Sequence, residues 1–465
     1  MKYTSTREDK ELLNFKQVTL KGLASDGGLY VPKNWKQHNL KFSNMDITFE
    51  KTAYEIIKYF VGKNLDNQLL KKLISRSYKS FRNKEITTLK QLDKNNYILE
   101  LYHGPTLAFK DIALQFLGNA FEVFLKKEKK KLTIVGATSG DTGSAAIDAV
   151  KNNKFSDIFI LHPYKRVSDF QRKQMTTVNS SNVFNIALKG TFDDCQDIIK
   201  KLFRDNELNQ RLNLGSINSI NWTRIMAQIT YYIYAVIQIN LYETKKISFA
   251  VPTGNFGDAY AGYLAKSKLN ASIEKIIIAT NENDILDRFF KTGKYCKSNV
   301  KSTNTPSMDI QVASNFERLL YDIMNEDSKQ VMKIMKNFES KNSLSIKKNT
   351  NKKILETFKS FSINQNRTLE VIRNIYEKYN IILDPHTAVG FAASLDYLEK
   401  NNKEHTVVSL ATAHPAKFSN AVLKAIGKKP MLPKKYENIF ELEERCEVLD
   451  NNYKLVKDFI LKNIL

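Results

Sequence analysis

Cysteine is scarce in this chain. Only Cys195, Cys296 and Cys446 occur among 465 residues, and they lie far apart, with neither paired nor metal-ligand spacing. This scarcity excludes a disulfide-stapled scaffold and a cysteine-rich metal centre, and no cluster of histidines and acids takes its place. It favours a reducing compartment, and we expect the protein in the cytoplasm.

Long apolar runs are also missing. No stretch approaches the roughly 18 consecutive apolar residues that a transmembrane helix needs. The first residues lack the apolar core of a signal peptide, and the early acids Glu8 and Asp9 argue against a transit peptide. We therefore expect neither secretion nor a membrane partner.

Acidic residues are outnumbered, 49 against 72 lysines and arginines, which gives a formal charge of +23. Such an excess can indicate nucleic-acid binding. Here it is mostly lysine spread along the whole chain, and no zinc-finger or RNA-recognition motif accompanies it. We attribute it to a composition biased toward Lys, Asn and Ile, and we expect a small-molecule partner and no nucleic acid. A positive field would still draw a phosphorylated substrate toward a cleft.

What the chain does have is an alternation of short apolar strands with helices. A long buried helix is predicted at 217–241, and a polar, lysine-rich helical insertion at about 325–380. The alternation predicts an α/β fold with mainly parallel sheets, and ligands bound at the carboxyl ends of the strands. The predicted strands are 132–135, 157–161, 247–251, 275–279 and 406–411.

Lys110 is the candidate catalytic residue. It follows a Gly104-Pro105 turn, so it falls near the start of a helix, and apolar residues flank it on both sides. Apolar surroundings favour the uncharged amine, which can form a Schiff base with a carbonyl group. The alternative is a surface lysine, one of very many in the chain.

Two loops that follow predicted strands and open helices are candidate anion sites. Residues 253–258 place two glycines at a helix N-terminus, where backbone N–H groups can turn toward one point. Residues 137–143 offer the hydroxyls of Thr138, Ser139 and Thr142 to a carboxylate or phosphate. The alternatives are an ordinary strand-to-helix turn and a helix cap. Neither loop matches a P-loop or a dinucleotide-binding fingerprint.

A third strand-end loop begins at Thr412, whose hydroxyl is placed to bond a ring nitrogen in the site. The alternative is a plain turn at the end of a strand. His414 and His386 lie next to prolines, and we interpret both as structural residues rather than as acid–base groups.

Together these motifs resemble the threonine synthase family, which consists of fold-type II pyridoxal-phosphate enzymes. The resemblance runs nearly from end to end and keeps the order of the motifs. A slight departure is Glu8-Asp9, where the family often has glycine. The segments that carry the resemblance are 3–7, 26–32, 103–111, 137–143, 218–224, 251–258, 308–318, 384–389 and 412–418.

The resemblance implies an α/β fold of two mainly parallel-sheet domains. The N-terminal region would cover 1–95, a smaller domain with the cofactor lysine and the substrate loop 96–240, and a larger domain with the phosphate loop and the helical insertion 241–465.

The resemblance also implies roles for single residues. Lys110 would hold pyridoxal 5'-phosphate covalently, and Thr412 would face the pyridine nitrogen. The cofactor phosphate would be surrounded by Gly254, Asn255, Phe256, Gly257 and Asp258. The substrate carboxylate or phosphate would be bound by Thr138, Ser139, Gly140, Asp141 and Thr142.

The implied reaction converts O-phospho-L-homoserine and water into L-threonine and phosphate, the last step of threonine biosynthesis, in a monomer or homodimer. Lys110, once freed from the cofactor, would be the base that removes the α-proton. The ligand of the leaving phosphate stays open among four cations, Arg166, Lys173, Arg224 and Arg318. The rival hypotheses are a related lyase that releases 2-oxobutyrate or acts on another β- or γ-substituted amino acid, a non-catalytic phosphoester-binding protein and a nucleic-acid-binding protein.

Overall fold

The structure is a computed structural model of the chain, and it describes residues 1–7, 11–35, 47–240, 246–347, 350–401 and 405–464. Glu8 and Asp9, where the chain departs from the family motif, lie outside the described residues. Within these ranges, no helix combines the length and the apolar character that crossing a bilayer requires.

The described residues form fifteen strands. They are β1 (Lys2–Ser5), β2 (Tyr30–Lys33), β3 (Thr88–Gln91), β4 (Asn96–Glu100), β5 (Leu132–Ala137), β6 (Ser156–Pro163), β7 (Val183–Lys189), β8 (Leu214–Gly215), β9 (Ile247–Pro252), β10 (Ile273–Thr280), β11 (Lys294–Cys296), β12 (Ser343–Ser345), β13 (Phe358–Ser362), β14 (Thr406–Ala411) and β15 (Glu447–Asp450).

The same residues form eighteen α-helices. They are α1 (Phe15–Lys21), α2 (Phe49–Val61), α3 (Asn67–Tyr78), α4 (Lys110–Glu128), α5 (Asp141–Val150), α6 (Asp169–Thr176), α7 (Phe192–Arg204), α8 (Asn206–Leu212), α9 (Trp222–Asn240), α10 (Gly257–Ser267), α11 (Ile285–Thr292), α12 (Phe316–Ile323), α13 (Ser328–Lys341), α14 (Lys352–Leu355), α15 (Gln365–Tyr379), α16 (Pro385–Lys400), α17 (Ser419–Ile426) and α18 (Tyr453–Ile464).

Two large sheets organise the chain. One has six strands in the order β13-β10-β9-β14-β4-β3, and only its edge pair β3–β4 is antiparallel. The other has five strands in the order β15-β7-β6-β5-β8, all parallel. This confirms the predicted α/β fold with mainly parallel sheets, and the apolar strands fit it because parallel strands are covered by helices on both faces.

Helix α9 lies at the centre of the largest core cluster. Its residues are buried around nearly the whole circumference, and most of them are apolar. It packs against α2, α4 and α10. The long predicted helix at 217–241 is therefore present, but it begins at Trp222, because residues 216–221 form a turn in which Asn218 accepts the Ile220 N–H.

The N-terminal region packs on this core. The ring of Tyr3 lies 5.9 Å from that of Trp222, and its hydroxyl donates to the Phe60 carbonyl at 2.9 Å. Arg7, which follows β1, forms an ion pair at 2.9 Å with Glu317 of α12. This ion pair joins the N-terminal region to α12.

The domain boundaries at 95 and 240 stay a prediction. The two large sheets take strands from distant parts of the chain. The strand β4 belongs to the six-stranded sheet, whereas the C-terminal strand β15 belongs to the five-stranded sheet. The segment at about 325–380 contains the helices α13 and α15, and it also contains β13, which adds an edge strand to the six-stranded sheet.

Candidate active site

A cavity of about 240 Å³ lies where the carboxyl ends of strands from both sheets meet. It is lined by the loops that follow β5, β9 and β14, and by the start of α4 after β4. The structure therefore brings together nearly all the predicted site residues, and Gly140 alone among them does not line the cavity. Those that do are Lys110, Thr138, Ser139, Asp141, Thr142, Gly254, Asn255, Phe256, Gly257, Asp258 and Thr412.

Lys110 is the first residue of α4, and the turn before it is held rigidly. Asp111 accepts hydrogen bonds from the backbone N–H and the hydroxyl of Thr106, at 2.8 and 2.6 Å. Leu107 adopts a left-handed φ of 66°, and Phe109 donates to the carbonyl of Thr412 at 2.8 Å. These contacts aim the Lys110 side chain into the cavity and away from solvent.

The Lys110 amine is buried. Its Nζ lies 3.2 Å from Oδ2 of Asp141 and 4.9 Å from the centroid of the Phe109 ring. Burial lowers the pKa of Lys110, because removal from water disfavours the charged form. The Asp141 carboxylate opposes this shift, while the positive charges of Lys417 and Arg224 add to it. The neutral amine is thus reached at a lower pH than in a surface lysine.

We call residues 137–143 the hydroxyl loop. The hydroxyl of Thr138 accepts the backbone N–H groups of Gly140 and Gly143, at 3.0 and 2.9 Å, so it caps helix α5 from within the loop. Gly140 has a φ of 139°, a conformation that L side chains rarely adopt. Ser139 and Thr142 line the cavity and are only partly buried.

Asp141, in the first turn of α5, is a hub of charge pairing. Besides Lys110, it contacts Lys417, whose Nζ lies 3.1 Å from Oδ1, and it accepts from Gln171 at 2.7 Å. Burial alone would raise the pKa of Asp141, but the charges of Lys417 and Lys110 hold it below its ordinary value. Asp141 is therefore a carboxylate held between two lysines. Sequence reasoning did not single out Lys417, although it lies in the motif 412–418.

We call residues 253–258 the glycine loop. Within the described chain, the backbone N–H groups of 254–258 donate to no protein group. A Cβ on Gly254 would lie 2.5 Å from the carbonyl oxygen of Ser307, so only glycine fits there. Successive unbonded N–H groups at the start of a helix form a cradle for an anion.

Phe256 adopts a left-handed φ of 65°, which is strained for a bulky residue. Its ring packs against those of Phe290, Phe316 and Phe358, with centroids 5.9–6.1 Å apart. This aromatic packing holds the backbone in the strained conformation. Phe256 thus supplies a backbone N–H to the loop while its ring belongs to the core.

Asp258 points toward α9 and not toward a cation. Its Oδ1 accepts the hydroxyls of Tyr231 and Tyr232, at 2.5 and 2.7 Å, and its Oδ2 is buried with no partner among the described residues. Burial raises the pKa of Asp258 to about 6, although the two tyrosine hydrogen bonds oppose the shift.

Arg224 is the clearest unsatisfied group in the cavity wall. It lies in the first turn of α9, is buried, and its Nε and Nη1 have no hydrogen-bond partner among the described residues. Burial lowers the pKa of Arg224 to about 10, still far above neutrality, so it stays charged. A buried charge without a partner costs several kcal/mol, which an anionic ligand would offset.

The other three candidate cations are placed differently. Arg318 is buried but donates to the carbonyls of Tyr30 and Ile220, at 2.9 and 2.7 Å, so it is a structural brace. Lys173 pairs with the carbonyl of Leu442, and Arg166 is exposed. None of the three lines the cavity.

The histidines have defined places. His386 lines the cavity, with Nδ1 3.0 Å from Asp384 and with Nε2 accepting the backbone N–H of Ser307 at 3.3 Å. His414 accepts the Ala416 N–H at 3.2 Å and does not line the cavity. These bonds fit the structural interpretation of both residues, which stays a prediction.

Three family models match the chain, and together they span most of it. The model described as threonine synthase N terminus matches residues 2–78, that of pyridoxal-phosphate dependent enzymes residues 82–346, and that described as threonine synthase, C-terminal residues 387–460.

Curated relatives and solved structures match over the full length. Threonine synthase of Pseudomonas aeruginosa is 43% identical over 99% of this chain and 98% of its own, and that of Saccharomyces cerevisiae is 43% identical over 98% and 97%. The crystal structure of PLP-bound threonine synthase from Brucella melitensis superposes with a TM-score of 0.94 at 39% identity, covering 100% of this chain and 99% of that one. These matches confirm the resemblance, and the chain belongs to the threonine synthase family of pyridoxal-phosphate-dependent enzymes.

Proposed function

We propose a division of roles within the cavity by which this chain converts O-phospho-L-homoserine and water into L-threonine and phosphate. One observation carries it: the buried Lys110 amine and the unpartnered Arg224 guanidinium face the same cavity as the free N–H groups of the glycine loop. The reaction brings together the cofactor phosphate, the substrate phosphate and the cofactor aldehyde, which reacts with an amine. The cavity offers the glycine loop, Arg224 and Lys110 as their respective partners.

The residues present fit pyridoxal 5'-phosphate. The glycine loop offers the N–H groups of 254–258 to its phosphate, Lys110 offers an amine to its aldehyde, and Thr412 lies in the wall where a ring would sit. When bound, this cofactor supplies an electron sink that stabilises negative charge on the carbons of an amino-acid substrate.

Lys110 then moves a proton at the α-carbon of the substrate. A base must be neutral when it accepts the proton, and the lowered pKa of Lys110 makes that form accessible. Asp141, whose Oδ2 lies 3.2 Å from Nζ, orients the neutral amine and forms an ion pair with it once the amine is protonated.

Arg224 binds the phosphate of the substrate and stabilises it as it leaves. The free N–H groups of the glycine loop already suit the cofactor phosphate, so a second phosphate requires a second site, and Arg224 is the one of the four candidate cations that lines the cavity. A guanidinium suits this role because it binds phosphate oxygens in a bidentate manner.

The hydroxyl loop binds the substrate carboxylate through Ser139, Thr142 and adjacent backbone N–H groups. Thr138 and Gly140 shape the loop, since their own hydrogen bond is internal. The negative charge of Asp141 would repel the substrate carboxylate, so Asp141 contributes to the site only by pairing with Lys110 and Lys417.

The test is to trap the cofactor and to identify the product. Borohydride reduction of the purified protein with pyridoxal phosphate is expected to fix the cofactor on Lys110, as peptide mass mapping shows, and O-phospho-L-homoserine is expected to yield threonine and phosphate. Lys110→Ala should lose covalent attachment and at least about a thousandfold in turnover, the scale on which catalytic groups act.

Three outcomes would contradict the proposal. A Lys110→Ala variant with near-normal turnover would remove Lys110 from the mechanism. Release of 2-oxobutyrate in place of threonine would favour the rival lyase, and Arg224→Met with an unchanged KM for the phosphorylated substrate would remove Arg224 from the phosphate site.

The same proposal covers the setting of the enzyme. It places the chain in the cytoplasm, which the three free cysteines support, as a monomer or homodimer without a nucleic-acid partner. Light scattering gives the oligomeric state, and steep salt-dependent binding to arbitrary DNA would contradict the last point.

A further inference from the structure

Lys417 is a second buried lysine behind the catalytic cavity. It lies in the short 3-10 helix Pro415–Phe418 and is almost completely buried, yet it does not line the cavity. Its Nζ donates to the Thr106 carbonyl and to Oε1 of Gln174, both at 2.8 Å, and lies 3.1 Å from Oδ1 of Asp141. An amine this deeply buried is rare without a specific set of partners.

The contacts of Lys417 connect three elements around Lys110. Thr106 belongs to the turn that leads into α4, Gln174 to α6, and Asp141 to the first turn of α5. Asp141 therefore carries one lysine on each oxygen: Lys110 at Oδ2 and Lys417 at Oδ1.

The charges in this trio do not balance. One carboxylate lies between two amines, so two protonated lysines leave a net positive charge in a buried place, where Coulomb interactions are stronger than in water. The imbalance is relieved if one lysine is neutral. Lys417 has three hydrogen-bond acceptors around it, whereas Lys110 has Asp141 and the cavity, so Lys110 is the one that loses its proton.

We propose that Lys417 is a positioning residue that fixes Asp141 against Lys110 and, by its charge, favours the neutral amine of Lys110. The inference rests on the proposed function, in which Lys110 anchors the cofactor. Lys417 touches neither substrate nor cofactor and acts through Asp141.

Other charged groups face Lys110 as well, and they set the background against which Lys417 acts. Arg224 adds positive charge from α9, and the Asp258 carboxyl on α10 interacts with Lys110, whose charge opposes the rise that burial causes in the pKa of Asp258. His386 from α16 faces Asp141. A change at Lys417 leaves these three side chains as they are, and it also removes a charge that lowers the pKa of the buried Asp111 carboxyl beside Lys110.

The test follows the pH dependence with which the full chain, freed of cofactor, attaches pyridoxal phosphate. Attachment requires the neutral amine, so the midpoint of its rate against pH reports the protonation of Lys110, read from the visible absorbance and checked by borohydride trapping. Lys417→Met removes a neighbouring positive charge, and we expect the midpoint to rise by about one pH unit, the scale of shift that a nearby charge produces.

Controls separate charge from packing. Lys424→Met removes an exposed lysine on the following helix α17 and should leave the midpoint unchanged. Gln174→Met removes a hydrogen bond to Lys417 without a change in charge and should also leave it unchanged. Lys417→Gln keeps a donor for the Thr106 carbonyl, so it serves where Lys417→Met does not fold, and it should raise the midpoint as well.

Asp141→Asn is expected to shift the midpoint in the opposite direction, because it leaves Lys110 beside Lys417 without the intervening negative charge. Equal midpoints for wild type and the Lys417 variants would overturn the inference. If the wild-type chain does not attach the cofactor at Lys110 at any pH, the proposed function fails instead, so the two failures are distinguishable.

Discussion

The hydroxyl loop and the glycine loop have the same local structure and different chemistry. Each follows a buried parallel strand, opens a helix and places an aspartate in the first helical turn. In the hydroxyl loop, Thr138 takes up two of the backbone N–H groups and Asp141 pairs with two lysines. In the glycine loop, the N–H groups of 254–258 stay free within the described chain, and Asp258 is bound by tyrosines.

The difference shows that a helix N-terminus does not define an anion site by itself. The helix dipole favours a negative charge at both loops. At the start of α5, the ionised side chain of Asp141 supplies this negative charge inside the cavity. At α10 the carboxyl of Asp258 is turned toward Tyr231 and Tyr232, so the free N–H groups are left for a ligand.

Among variants of these two loops, the largest effect is expected from Gly254→Ala. The added methyl would lie 2.5 Å from the Ser307 carbonyl oxygen, a backbone atom that cannot move alone. Overpacking of this kind costs about 1–3 kcal/mol, so we expect the Kd for pyridoxal phosphate to rise by about tenfold or more. Equilibrium dialysis of the apoenzyme measures it.

Gly140→Ala is the counterpart in the hydroxyl loop. The methyl there would meet the amide end of the Gln171 side chain, and the φ of 139° adds strain. We expect a larger KM for the substrate and a smaller change in cofactor affinity than in Gly254→Ala. Gly427→Ala, where no atom lies within 4 Å and the φ of 72° is also left-handed, controls for an added methyl and backbone strain away from the cavity. Equal losses of cofactor affinity in the two variants would contradict the different roles of the two loops.

An intermediate effect is expected from Thr138→Val, which keeps the shape of the side chain and removes its oxygen. The N–H groups of Gly140 and Gly143 would lose their acceptor, at a cost of about 1–3 kcal/mol for a buried donor left unpaired. Chemical denaturation should show this loss, together with a higher substrate KM. Ser139→Ala, which removes a hydroxyl from the same loop without uncapping α5, is the control. A stable Thr138→Val variant would contradict the capping role.

The pH dependence of stability is expected to reflect Asp258, an effect on folding and not on ligand binding. Its pKa of about 6 lies above the ordinary value of 3.8, so the folded chain binds this proton more tightly than the unfolded chain. The stability that this proton contributes is present below about pH 4 and is lost as the pH rises through about 6. Asp258→Asn should remove that loss. Between pH 4.5 and pH 8, we expect the free energy of unfolding of the wild type to fall by on the order of 2 kcal/mol more than that of the variant. Urea unfolding at both pH values measures it, and an unchanged difference would count against the buried, protonated carboxyl.

The strand–loop–helix units could be predicted from the sequence because their signals are local. The apolar strands at 132–135 and 247–251 are followed at once by glycine and hydroxyl residues, and the structure places their loops at one cavity. Strands with weak local signals were not predicted. Phe358–Ser362 lies in a polar segment, and Glu447–Asp450 is short and largely exposed, so only their partners β10 and β7 define them as strands.

Within the site, the limit of prediction was contact between distant parts of the chain. Arg224 and Arg318 are both buried arginines beside apolar residues, and only the structure shows that carbonyls satisfy Arg318 while Arg224 faces the cavity. The family resemblance implied that Asp141 is a substrate ligand, a role that stays a prediction. Its pairing with Lys417 could not be seen, because nothing in the sequence indicates that the two residues meet.

The position of β14 in the six-stranded sheet has a consequence for synthesis on the ribosome. This strand lies between β9 and β4, yet it is made after both of them. Until it emerges, β4 and β9 have open edges that expose unpaired backbone groups, and such edges promote aggregation. The nascent chain therefore has to keep the open edges of β4 and β9 from pairing with other chains until residues 406–411 join the two strands. A message truncated before that point yields a product whose sheet stays open.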